Sequence, residues 1–167
     1  KVVVTFPAGF NLTNTPVASS STSEIDGTFA TTVVGQVVTI TRQNDGTDEA
    51  AGAITDLTLS NIKNPGVSGN TGTFVITTTD SNGATIDTLA TVPLVAITPG
   101  AISSATITPA SLVAGASGNV VLAFTMSNPL PKDGKVVVTF PAGFNLTNTP
   151  VASSSTSEID GTFATTV

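Results

Sequence analysis

The stretch KVVVTFPAGFNLTNTPVASSSTSEIDGTFATTV fills residues 1–33 and returns, without a single substitution, at residues 135–167. Every position of the first copy recurs at its own number plus 134 (135 − 1), so the 167-residue chain holds one full period plus the opening of the next. Self-similarity at a fixed period marks an array. We therefore expect a window on a longer polymer of identical modules, with the start at lysine rather than methionine reflecting a processed or cut end.

The same stretch sets the fold class. Residues 1–6 alternate, with Val2, Val4 and Phe6 on one face and Val3 and Thr5 on the other. Pro7 and Gly9 close that strand, and residues 11–23 read as a long polar loop or irregular edge. Further strands are predicted over residues 27–34, 36–42, 53–62, 73–80 and 84–97. Their inward residues are Phe29, Thr31 and Val33, then Val38 and Ile40, Leu57 and Leu59, Phe74 and Ile76. Pro93 assigns the last of these strands to a sheet edge. Residues 102–115 open a fresh module. Residues 119–128 give the cleanest alternation, with Val120, Leu122, Phe124 and Met126 on one face, before PLPKDG turns the chain back into the repeated stretch. About eight short strands with turn signals between them and no helical segment predict an antiparallel β-sandwich.

The phase of the repeat matters as much as its length. The natural module begins near residue 101. Residues 1–100 then read as the last six strands of one repeat, and residues 101–167 as the first four strands of the next. Each piece leaves an apolar face and an unpaired edge. We expect neighbouring copies of the chain to complete them, because the short TPGA link at residues 98–101 disfavours folding back.

Composition narrows the function. Hydrophobic residues are 40% of the chain and charged residues only 10%, so wetting falls to Thr, Ser and Asn. Eleven acidic against five basic residues give a net charge of −6, which excludes a nucleic-acid partner bound through phosphates. No apolar run is long enough for a spanning helix, so no membrane insertion is expected. Cys, His, Trp and Tyr are all absent. Acid–base or nucleophilic catalysis would then rest on carboxylates or a perturbed lysine, and we expect no enzyme.

From ITPASLVAG through NVVLAFTMSNPLPKDGKVVVTFPAGF, followed by LTLSNIKNPG and GTFVITTTDSNG, the chain resembles the tandem immunoglobulin-like β-sandwich repeats of very large secreted or surface proteins. The resemblance is one of pattern and cadence and carries no catalytic motif. It implies an antiparallel Greek-key immunoglobulin-like β-sandwich, repeated in tandem with a period of 134. It also implies an extracellular or cell-surface location in a fibre, stalk, coat or adhesin.

Two acidic loops are candidate calcium sites, because Ca²⁺ takes six to eight oxygen ligands from flexible loops. Asp45, Asp48 and Glu49 form the first, and Asp80, Asn82 and Asp87 the second. Neither has the twelve-residue helix–loop–helix spacing, and acidic residues also serve hairpin turns for backbone reasons. Glu24 and Asp26, repeated at Glu158 and Asp160, read as solvated loop charge. Asn11 and Asn145 lie in Asn-Leu-Thr glycosylation sequons, so glycans are a candidate modification. The expected function is a structural module of an extracellular fibre, stalk or sheath, polymerised end to end. The alternative is an adhesin or ligand-binding repeat, against which the absence of Trp and Tyr counts for sugar ligands.

Overall fold

The computed structural model describes residues 1–167 except Ser23 and Ser157. Ser23 ends the predicted polar loop, and it and its counterpart Ser157 lie outside the described residues. All regular structure among the described residues is β, and every pairing is antiparallel. The chain divides into two units, Lys1–Pro129 and Leu130–Val167.

The first unit contains β1 (Val2–Thr5), β2 (Val17–Ser19), β3 (Phe29–Val34), β4 (Val37–Arg42), β5 (Thr58–Ser60), β6 (Gly69–Asn70), β7 (Phe74–Thr79), β8 (Thr85–Val92), β9 (Ala96–Ile97), β10 (Ile102–Pro109) and β11 (Val120–Met126). Five of these form one sheet in the order β3-β4-β1-β7-β8, while β2-β5, β6-β9 and β10-β11 are separate ribbons. The tight β3–β4 hairpin turns through Gly35 at φ +59°, where a Cβ would be strained.

Register fixes the two faces of the five-stranded sheet. Across it, Val33, Val38, Val4, Ile76 and Leu89 lie in one row. The adjacent row, on the opposite face, is Thr32, Thr39, Val3, Thr77 and Thr88. The apolar face is covered at one end by the β2–β5 ribbon. Ala18 and Leu59 pair across that ribbon and pack with Phe10, Leu12, Val38 and Ile40. Phe6, Phe10 and Phe74 close the core edge to face, with ring centroids 5.4–5.5 Å apart. Coverage then runs out: exposure climbs along the apolar row from 0% at Val38 to 39% at Ile76 and 55% at Leu89.

Some strands differ from the sequence reading. Strand β2 sits inside the predicted polar loop, held by β5 rather than by its own pattern. The strand predicted over 53–62 shortens to β5. The one predicted over 84–97 breaks at Pro93 into β8, an edge strand of the sheet, and β9.

The largest difference lies in the second copy of the repeated stretch. In residues 1–33, β1 pairs with β4 and β7, β2 with β5, and β3 with β4. Among the described residues, 135–167 form no strand at all. An extended segment becomes a strand only through a ladder, and every ladder of the first copy is made with residues 37–79. Local structure survives nonetheless. Gly9 and Gly143 have φ +101° and +104°, Gly27 and Gly161 +85° and +95°. The Phe6–Phe10 pair reappears as Phe140–Phe144, 5.3 Å apart. The Thr31 hydroxyl donates to the Pro16 carbonyl, and the Thr165 hydroxyl to that of Pro150.

Candidate functional site

The densest polar constellation joins the repeated stretch to the loop between β4 and β5. Its centre is Arg42, the only arginine in the chain. One guanidinium nitrogen of Arg42 lies 2.6 Å from Asp26 Oδ1 and 3.3 Å from Glu49 Oε1, and donates to the Thr47 carbonyl at 2.6 Å. Thr47 donates to Asp26 through both its N–H, at 2.9 Å, and its hydroxyl, at 3.0 Å. The Asp26 N–H in turn donates to Glu49. A Cβ on Gly46 would collide with Asp26 Oδ1 and fall 2.7 Å from the Arg42 guanidinium, so only glycine lets the loop close on the pair.

Three further carboxylates lock the same loop. Asp45 accepts from the Thr28 N–H at 2.8 Å and the Thr28 hydroxyl at 2.6 Å. Asp56 accepts from the Ser20 hydroxyl at 2.9 Å, the Thr22 N–H at 2.5 Å, and both the N–H and the hydroxyl of Ser21. Glu24 accepts from the Thr55 N–H at 2.6 Å. These contacts set the charges. Desolvation pushes the Asp56 carboxyl up, but the donors from Thr22, Ser20 and Ser21 together bring it down to about 2. The Thr47 N–H, with its hydroxyl and Arg42 behind it, holds Asp26 below the usual carboxylate range, and the Thr28 hydroxyl and N–H do the same for Asp45.

Of the first candidate calcium loop, Asp45 and Glu49 turn into this clasp, and Asp48 is exposed. In the second, Asp80 caps the β7–β8 turn, accepting from the N–H groups of Asn82 and Ala84 at 2.9 and 2.7 Å. Asp87 bonds across the strands to Thr78. Among the described residues no group of three or more acidic side chains is placed to share an ion. Because Asp45, Glu49, Asp80 and Asp87 already accept from protein donors, a melt in calcium and one in EDTA should give the same Tm, and a higher Tm in calcium would restore the ion to these loops. The sequon residues Asn11 and Asn145 are both exposed, and each accepts from the hydroxyl two residues on, Thr13 at 2.6 Å and Thr147 at 2.7 Å.

Sequence reading missed Arg42, Thr47 and Asp56 as members of the site. The available signal was a lone arginine opposite an Asp and Glu spaced two apart, beside a run of hydroxyl residues. Compared with protein-family models, curated proteins and solved structures, the chain matches none.

Proposed function

We propose that the chain is a self-assembling structural module of an extracellular fibre, stalk or sheath, built as an immunoglobulin-like Greek-key sandwich that recurs in tandem at the period of the sequence. One observation carries this reading. The same sequence is folded into a core where residues 37–79 pair with it and is strandless where nothing does. Phe10 is 8% exposed and its counterpart Phe144 is 49% exposed. The stretch keeps its turns in both settings and takes its ladders from the segments that follow it in the period, as the opening of a module in a tandem array does. Antiparallel ladders then carry load through many backbone hydrogen bonds at once. Burial of Val, Ile, Leu and Phe, at about 25 cal/mol per Å² of apolar area, holds the layers together.

Electron microscopy of the purified protein tests the proposal. The expected result is filaments with one axial repeat per module. A dispersed monomer that binds members of a glycan array would replace it with the adhesin reading.

A further inference from the structure

Of all the asparagines in the chain, only Asn11 and Asn145 are followed two places on by a serine or threonine. They lie 134 residues apart (145 − 11), so each period holds a single glycan acceptor sequence of this kind.

The fold turns the Asn11 side chain outward. Phe10 and Leu12, on either side of it, are 8% and 5% exposed and belong to the core. Alternation along an extended segment then sets residue 11 on the opposite, solvent face. Its backbone is held there from two directions. The Asn11 N–H donates to the Lys63 carbonyl at 2.9 Å, and the Lys63 N–H to the Asn11 carbonyl at 3.1 Å. The Gln36 side-chain amide donates to the neighbouring Phe10 carbonyl at 3.1 Å. Asn11 is accordingly exposed on a segment that cannot roll.

Hydrogen bonding separates the two ends of the Asn11 amide. Oδ1 accepts from the Thr13 N–H at 2.9 Å and from the Thr13 hydroxyl at 2.6 Å. A backbone N–H only donates, so the accepting end is the oxygen. Nδ2, the other end, donates to no protein group among the described residues. Asn145 repeats the arrangement with Thr147, at 3.0 Å from the N–H and 2.7 Å from the hydroxyl. A turn alone does not call for that hydroxyl: Asp80 closes one with the N–H of Asn82, two places on. Because the bonds lie within three residues, the turn can form on the emerging chain before Lys63 has been added.

We propose that Asn11 and Asn145 carry an N-linked glycan, one in each period, transferred from an oligosaccharide borne on a lipid pyrophosphate. Nδ2 attacks C1 of the first sugar. The C1–N bond forms as the bond from C1 to the phosphate oxygen breaks, Nδ2 gives up one proton, and the lipid pyrophosphate leaves. Both bonds from Thr13 go to the oxygen, so the sugar costs the fold no hydrogen bond and displaces no core residue. It also adds water-binding surface to a chain in which only 10% of residues are charged. The proposal rests on the extracellular placement in the structural-module reading and on nothing in the assembly of the modules.

The test uses the whole chain secreted from a glycosylating cell line, and the protein taken from the organism that makes it. Trypsin cuts after Lys1, Arg42 and Lys135, so residues 2–42 form a peptide with Asn11 and residues 136–167 one with Asn145. Treatment with a peptide N-glycosidase in heavy-oxygen water turns a sugar-bearing asparagine into an aspartate that carries the heavy atom, which mass spectrometry locates. Residue 11 should carry that label in both samples. In the secreted chain, Thr13→Ala should abolish the label at residue 11 while residue 145 keeps it as an internal control. Thr13→Ser retains a hydroxyl and should retain the label.

An unmodified Asn11 in the natural protein overturns the proposal. So does a label that survives Thr13→Ala, or a sugar held only by hydroxyl residues and untouched by the N-glycosidase. Filaments of natural protein with Asn11 unmodified overturn it while leaving the structural-module reading standing. A labelled protein that forms no filaments supports the glycan and overturns the fibre.

Discussion

Phe10 and Phe144 are one residue in two environments, and the difference is measurable. In the monomer, Phe10→Ala removes a ring packed against Phe6 and Phe74 and should lower stability by about 3–5 kcal/mol in a urea melt. Phe144→Ala, at 49% exposure, should change it by under about 0.5 kcal/mol. The clasp carboxylates set the acid response. Asp56, Asp26 and Asp45 have folded-state pKa values below their ordinary ones, so the folded state binds these protons less readily than the unfolded chain does. Their contribution is complete above about pH 5 and is lost as the pH falls from about 4 through about 2. Thermal melts across this range should show Tm falling toward acid, and Asp56→Asn should flatten the fall. None of this was legible from residue type, because Asp56 and Arg42 look like ordinary polar positions of predicted strands until a fold brings Ser20–Thr22 and Asp26 to them.

At the scale of elements, the sequence was most informative where alternation was long. The period-2 pattern of residues 1–6, 27–34, 36–42 and 73–80 put Val38, Ile40 and Phe74 on the inward face, which the register of the sheet reproduces. It was least informative at β2, whose three residues contain one inward-facing alanine, and at β5, where a ten-residue pattern yields three paired residues. Residues 135–167 state the limit most clearly. Strand propensity belongs to the segment, but a strand belongs to a pair of segments. The uncovered end of the sheet makes a related prediction. Leu89→Lys, on a side chain 55% exposed, should leave the urea midpoint of the monomer within error while weakening self-association in light scattering.

Taken whole, the molecule shows one face of its five-stranded sheet to a core and the other to water, and the second face is laid with Thr32, Thr39, Thr77 and Thr88 around Val3. The Thr77 and Thr88 hydroxyls lie 3.0 Å apart across β7 and β8. Hydroxyls keep their water at any pH in which a protein survives, and salt does not screen them as it screens charges. A sheet face paved with hydroxyls therefore keeps its hydration in brine and in acid alike.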